Sequence, residues 1–400
     1  MRSTWSFYTA GQLTFGPGAI RQLGELARRH RLSRIFVVTD KTLVELGIAR
    51  SVTAPLLAAG MTVEVFDGGE AEPSIRVALA AIEQARAFKP DAILGLGGGS
   101  NMDLSKITAT VLGHGGTPQD YFGFDRVPGP VIPLICVPTT AGTGSEVSHA
   151  AVLTDTENEI KVSTLSNWLR PTLAVVDPEL TYCCPQRVAA DSGIDALTHA
   201  IEGYTATDYR DLATPPGEAC AYEGSFPLGD VIAEKAIWLI GENLARAVNE
   251  PENHRARDNM ALASTLAGIA FSNCGVALVH ALEYPMGGAL HCSHGAGNGL
   301  LLPFVMRFNL PERKTKFAKI AEFLGAEPSS DSDVMAERAI ASVEQLKRDI
   351  GIPERIRDIG GTEGQLQTFA EKAFAIKRLL WVNPRAASLE DLHGILKSAL

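Results

Sequence analysis

Apolar and polar positions change period once along this 400-residue chain, near residue 185. Before that point, short apolar runs alternate with helix-length segments. RIFVVTD (34–40) is a largely apolar run ending at Asp40, and VEVFDGG (63–69) is another, followed by a helical pattern over VALAAIEQARAF (77–88). DAILGLGGGS (91–100) and PVIPLICVPTTAGTGSE (130–146) each pass from a β-rich stretch into a glycine-rich turn, and LAVVDPELT (173–181) reads as a strand stopped by Pro178. Short apolar runs bounded by turn signals are characteristic of strands buried on both faces. Their alternation with helical segments predicts a parallel α/β sheet.

Beyond residue 185 the period is that of helices. AADSGIDALTHAIEGYTA (189–206), DVIAEKAIWLIGENLARAV (230–248) and RDNMALASTLAGIAFSNCGVALVHALEY (257–284) repeat apolar residues at helical intervals. KTKFAKIAEFLG, MAERAIASVEQLKRDIG and the final SLEDLHGILKSAL continue the pattern,. Two domains follow, an α/β domain over 1–184 and an all-helical domain over 185–400, in keeping with a length too great for one ordinary core. Between them, DYRDLATPPGEACAYEGSFPLG (208–229) is polar and rich in turn formers, which predicts a surface excursion. No internal repeat or low-complexity tract is evident.

Composition changes this picture mainly by exclusion. With 46% hydrophobic and 20% charged residues the chain is globular, and a net charge of -10 without any basic block argues against nucleic acid or an anionic membrane as partner,. The start, MRSTWSFYTAGQLTF, lacks the apolar core of a signal peptide, and no uninterrupted apolar run reaches ~18 residues. Six cysteines (136, 183, 184, 220, 274 and 292) show no CxxC or finger spacing, so reduced, mostly buried thiols and a cytoplasmic location are expected,.

Candidate chemistry falls in two places. LGLGGGSNMD (94–103) follows a strand and precedes a helical pattern from Leu104. Glycines there let a ligand approach the backbone, and the N–H groups of a helix start attract phosphate. The spacing is not GxGxxG, so a plain strand–helix turn is an equally open reading of it taken alone. PTTAGTGSE (138–146) supplies a second turn dense in hydroxyls and glycines. Two such turns on successive strands favour a dinucleotide at the C-terminal edge of the sheet. Asp40 either holds a ribose diol there, repelling a 2′-phosphate, or is simply a helix cap.

The second place is the apolar stretch VHALEYPMGGALHCSHGAGN (279–298), where three of nine histidines, His280, His291 and His294, fall within fifteen residues. Upstream, Asp195 and His199 are spaced i, i+4 and share a helical face. Asp195, His199, His280 and His294 together make one carboxylate and three imidazoles, a donor set suited to iron(II), zinc, cobalt or nickel rather than calcium or magnesium. Each of the four taken singly also has an ordinary structural reading.

Taken in order, these residues resemble the iron-containing (group III) alcohol dehydrogenases. The resemblance runs from LTFGPGAIRQLG through VVTDKTL, GLGGGSNMD, PTTAGTGSEV, VVDPELT and DALTHAIEGY to VHALEYPMGG, SHGAGNGLLLP and NPRAASLEDL, nearly the whole chain. It implies the architecture shared with dehydroquinate synthase: a dinucleotide-binding α/β domain, then an all-α domain, with metal and nicotinamide meeting between them. It implies Asp195, His199, His280 and His294 as ligands of one divalent metal, Fe2+ or Zn2+. Gly97, Gly98, Gly99 and Ser100 would cradle the pyrophosphate with Asp103 nearby, and Thr139, Thr140, Thr143 and Ser145 would line the adenine and phosphate side. Lys161 matches a lysine near the nicotinamide ribose, and Asp40 a position whose acid favours NAD over NADP. The implied activity is hydride transfer between NAD(H) and a small alcohol, aldehyde or ketone, in a homodimer or larger assembly with the N-terminal strand region at the interface.

Two departures stand out. Many members carry a histidine four residues after the third ligand, thought to help move the proton; here Tyr284 occupies that place, as a proton relay or as a pocket wall, with exposed His291 a possible substitute. The segment AYEGSFPLGDVIAEKAI looks like one found in hydroxyacid-oxoacid transhydrogenases, which keep their NAD tightly bound, so that branch and its hydroxyacid substrates are an alternative. A dehydroquinate synthase-like lyase is an alternative of another class.

Overall fold

A computed structural model describes residues 2–157, 160–213 and 220–400. The chain forms two compact units, one of Tyr8–Cys184 and one of Pro185–Leu400 joined by Met1–Phe7.

In the first unit six parallel strands make one sheet. In chain order they are β1 (Gln12–Phe15), β2 (Arg34–Val38), β3 (Thr62–Phe66), β4 (Ala92–Gly97), β6 (Leu134–Pro138) and β9 (Leu173–Val176), arranged β1-β9-β6-β4-β2-β3. Side chains alternate across a strand. Ile35 and Val37 of β2 therefore enter one core with Leu94 and Leu96, packed by Leu23 of α1 (Leu23–Arg29) and by Val52 and Leu56 of α3 (Ile48–Ala58). Phe36 and Val38 enter the other, under α4 (Ile75–Phe88) and α5 (Gly99–His114). Both faces are covered, which is why these strands read as nearly unbroken apolar runs. Between β2 and α3 lies the short α2 (Lys41–Glu45).

Apolar runs pointed to five of these strands. The sixth, β1, is an edge strand of four residues with alternating burial, too short and too polar to stand out. A second sheet was also hidden from the pattern: β5 (Gly123–Phe124), β7 (Ala150–Asp155) and β8 (Ile160–Leu165), in the order β5-β8-β7, with β7 and β8 antiparallel. Its strands are half-buried and mix threonine, serine and charge, so they give no continuous apolar signal.

The second unit is helical: α6 (Gln186–Thr205), α7 (Pro227–Asn249), α8 (His254–Cys274), α9 (Leu278–Leu290), α10 (His294–Phe323), α11 (Ser332–Asp349), α12 (Glu363–Ala375), α13 (Lys377–Val382) and α14 (Leu389–Ala399). The leading residues pack with this unit and not with the α/β unit, because Trp5 stacks on Phe226 with ring centroids 4.6 Å apart and Arg2 pairs with Glu223. Of the turn-rich excursion, residues 214–219 lie outside the described residues, while Ser225 N donates to Thr207 O at 2.8 Å.

The continuous helical period over 257–284 is interrupted in the structure. α8 and α9 are separate helices bent by 106° at the break after Cys274. Gly275 takes φ of 113°, and a Cβ there would lie 2.6 Å from Val382 Cγ1 and 3.0 Å from the Tyr222 ring. Periodicity reports which face is apolar, not whether the axis turns, so the bend left no trace in it. Gly275→Ala is expected to cost about 1–3 kcal/mol. It should appear as a lower urea midpoint at unchanged slope; a midpoint at or above that of the wild type would refute the account.

Candidate functional site

The α/β unit has its topological switch point between β2 and β4. The chain adds β3 on one side of β2 and then returns to lay β4 on the other. Ligands of such sheets bind beyond the strand ends at this place. Asp40 follows β2, the glycine turn follows β4, and the hydroxyl-rich turn follows β6.

The glycine turn is built for close approach. Gly97 takes φ of 140°, open to glycine and strained for other residues, and a Cβ on Gly95 would reach within 3.0 Å of Met102 Cα, so α5 sits tight on β4. The N-cap of α5, Gly98, has no side-chain cap among the described residues, which leaves the helix-start N–H groups for an anion,. Against the turn pack Thr140, whose Oγ1 lies 3.6 Å from a Cβ placed on Gly98, and Thr143, 3.0 Å from one on Gly99. Thr140 Oγ1 is buried without a hydrogen-bond partner, a polar atom awaiting an occupant. Thr139 N donates to Gly97 O at 3.0 Å and ties the two turns together.

Other residues singled out from the sequence have structural partners. Asp40 caps α2, accepting from Leu43 N at 3.0 Å, and its other oxygen accepts from Asn101 Nδ2 at 2.7 Å. Asp103 accepts from Ser145 Oγ at 2.7 Å and from Val152 N at 3.0 Å. Beside them the buried Lys106 ammonium donates to Ser145 Oγ and to Ala150 O, both at 2.8 Å. Lys161 Nζ meets Glu72 Oε1 at 2.6 Å, and Glu72 N donates to Ser100 Oγ at 3.2 Å. Glu72 has φ of 52°, unusual for a non-glycine residue, and thereby links the lysine to the glycine turn,. Asn101, Lys106 and Glu72 carry no motif of their own and were not found from the sequence.

In the helical unit, α6 presents Asp195 and His199 one turn apart, α9 presents His280, and His294 is the first residue of α10. Asp195 Oδ1 lies 3.8, 3.9 and 4.0 Å from Nε2 of His199, His280 and His294. Donors that share one ion at about 2.0–2.2 Å each must lie within roughly 4.4 Å of one another, and the three distances from Asp195 meet this. Asp195, His280 and His294 offer atoms all within 4.8 Å of one another. His199 stands beside this trio, its ring stacked between Phe271 at 4.3 Å and His280 at 4.9 Å.

Electrostatics also fit a cation. The amide nitrogen of Asn298 lies 2.8 Å from Asp195 Oδ1, 3.1 Å from His280 Nε2 and 3.2 Å from His294 Nε2. Three lone pairs thus converge on one electropositive group that carries only two hydrogens. Behind the rings, His280 Nδ1 donates to Glu202 Oε2 at 2.6 Å and His294 Nδ1 donates to Glu283 Oε2. With Nδ1 protonated toward a carboxylate, each Nε2 keeps its lone pair for a metal. Burial pushes the Asp195 carboxyl up, but His199, His294, His280 and the Asn298 amide outweigh it and hold it below its usual value. Burial lowers His199 to about 4, against the opposing pull of Asp195.

Tyr284 stacks on His294 at 5.8 Å and meets His280 edge-on at 6.3 Å. Burial, aided by nearby carboxylates and opposed by Arg378, pushes its phenol up to about 12, so at neutral pH it is a hydrogen-bond donor,. His291 is the exposed left-handed cap that ends α9, with φ of 51°. Glu202, Glu283 and Asn298 were missed in the sequence, although a signal exists: His199 and His280 are each followed three residues later by glutamate, on the same helical face.

Residues 10–178 match the family described as iron-containing alcohol dehydrogenase, and residues 189–400 match its C-terminal domain. The chain is 34% identical to the NAD-dependent methanol dehydrogenase of Bacillus methanolicus over 99% of this chain and 100% of that one. It is 36% identical to the 1,3-propanediol dehydrogenase of Klebsiella pneumoniae, over 96% of each chain. A crystal structure of a 1,3-propanediol oxidoreductase superposes with a TM-score of 0.93 at 35% identity, covering 99% of this chain and 100% of that chain. With both halves matched and the whole length shared, the chain belongs to the iron-containing alcohol dehydrogenase family.

Proposed function

We propose that this protein is an NAD-linked alcohol dehydrogenase and carbonyl reductase, with Asp195, His199, His280 and His294 as the ligands of one divalent ion, iron(II) or zinc. The single observation that carries the reading is the convergence of the Asp195, His280 and His294 lone pairs on one point, with both imidazoles backed by buried carboxylates. Related chains of similar identity carry names that specify methanol, 1,3-propanediol and sulfoacetaldehyde. Their common denominator is a small alcohol or its carbonyl partner, and that is the substrate class we assign. All three are dehydrogenases or reductases, which leaves the transhydrogenase and lyase alternatives without support.

An ion in this site supplies Lewis acidity that stabilises alkoxide character on the substrate oxygen, and nicotinamide supplies the hydride chemistry. The protein's own part is to bind, orient and exclude. The uncapped start of α5 and the Thr140 hydroxyl bind the pyrophosphate, while Thr139, Thr143, Ser145 and Asp103 shape the turn beside it. Lys161, steadied by Glu72, would hold the nicotinamide ribose. Asp40 would accept from the adenosine ribose and repel a 2′-phosphate. Tyr284 remains protonated and forms the pocket wall against His280 and His294.

The enzyme works in the cytoplasm as a homodimer or larger assembly. Support comes from six cysteines that all remain thiols, of which Cys136 and Cys274 alone are buried and Cys183 is exposed, and from β1, a sheet edge that leaves Leu13 and Phe15 exposed at 39% and 37%. Among the described residues no single helix is long and apolar enough to cross a membrane. Light scattering on the purified protein should return at least twice the 42.6 kDa chain mass, and a monomer at micromolar concentration would overturn the assembly.

His280→Ala is expected to lose bound metal and turnover together, by more than the ~100-fold that removal of an outer partner costs. Full activity in a metal-free His280→Ala protein would remove the reading. Tyr284→Phe should keep kcat within about threefold, since loss of a true proton relay costs ~10²–10⁴. Asp40→Ser preserves a good N-cap while removing the charge, so kcat/KM with NADP relative to NAD should rise at least ~10-fold, about 1.4 kcal/mol. An unchanged ratio would strip Asp40 of its role in cofactor choice.

A further inference from the structure

The two buried glutamates behind the histidines hold very different positions. Glu202, on α6, is fully employed. Its oxygens accept from Ala277 N at 2.9 Å, Val279 N at 2.7 Å and His280 Nδ1 at 2.6 Å. The first two are orphan N–H groups at the start of α9, so Glu202 caps that helix as a charged N-cap would and holds it at the bend after α8.

Glu283 does none of this. It is 0% exposed, one oxygen meets His294 Nδ1, and the other, Oε1, is buried with no hydrogen-bond partner. The surrounding backbone is cut away to admit it: a Cβ on Gly287 would collide with Oε1, and one on Gly297 would lie 2.9 Å from Glu283 Cγ. A carboxylate buried with one oxygen unsatisfied is destabilising unless something compensates. Glu283 caps no helix, and among the described residues its side chain pairs with His294 alone.

We infer that Glu283 is a positioning residue for His294, kept for the metal site at a cost to the fold, and that it closes a relay of carboxylates across three helices. Glu202 on α6 orients His280 on α9, and Glu283 on α9 orients His294 on α10. In each proposed ligand-bearing helix after the first, the histidine is thus aimed by a carboxylate of the preceding one in that set. The inference rests on the metal-site reading above. It adds that the two glutamates are separable, one serving fold and metal, the other metal alone.

The test uses the full-length protein, stripped of metal and reloaded with cobalt(II) alone. Cobalt affinity is measured by chelator competition, the visible bands report ligand geometry, and the melting temperature is taken on the metal-free form. Glu283→Gln should weaken cobalt binding about 10–100-fold and alter the bands. Its metal-free melting temperature should equal or exceed that of the wild type. Glu202→Gln should weaken cobalt binding and lower the metal-free melting temperature together. Glu283→Ala, which leaves a cavity, provides a second variant should the amide mimic the carboxylate too well. Wild-type-like cobalt affinity, within threefold, in both Glu283 variants would overturn the inference while leaving the metal site standing. So would a Glu283→Gln protein whose metal-free form melts lower than the wild type. Failure of the wild type to take up one cobalt ion would overturn the metal-site reading and this inference with it.

Discussion

Three carboxylates, Asp195, Glu202 and Glu283, are buried at 2%, 5% and 0% exposure in one helical core. Removing a carboxylate from water without a partner is costly, and helical packing alone provides no compensation. Here compensation comes from N–H donors and imidazoles, and two of those imidazoles, His280 and His294, turn their remaining nitrogens toward one point beside Asp195. The proposed divalent cation at that point would settle most of the remaining negative charge. Much of the surrounding architecture follows from this constraint. α6 carries two proposed ligands one turn apart, α9 begins where Glu202 can cap it, and α10 begins at His294.

The bend between α8 and α9 shows how the constraint reaches the backbone. Had the helix run on through residue 275, as its apolar period allows, the N–H groups of Ala277 and Val279 would have bonded within it. Glu202 would then have lost its donors. Breaking the helix at Gly275 frees those groups for the carboxylate and turns His280 inward. A glycine in the left-handed region and a buried acid seventy-three residues earlier in the chain are thus two parts of one device.

This explains what was legible in the sequence. The doubly covered strands stood out because burial on both faces makes runs such as RIFVV and AILGLG continuous, and the proposed ligand set stood out because histidine is rare inside apolar helices. β1, β7 and β8 did not, since half-buried strands carry serine, threonine and charge on one face. Asp40 was legible as a strand-end acid and as a helix cap, which it is for α2 through Leu43, but its bond to Asn101 joins residues sixty-one apart and left no local signal. The orienting glutamates were legible in principle. A histidine followed by glutamate at i+3 reads first as a local helical pair, whereas each glutamate in fact serves the histidine of the next ligand-bearing helix.

The two candidate sites have opposite polarity, and each draws its named contacts from its own unit. The glycine turn offers backbone N–H groups and the start of a helix dipole, a field that selects an anion. The helical core offers lone pairs and buried carboxylates, a field that selects a cation. The hydrogen bonds named for Asp195, Glu202 and Glu283 fall within Pro185–Leu400. A substitution behind His294 therefore acts first on the proposed cation site, and a loss of cobalt affinity in a Glu283 variant would report on that site.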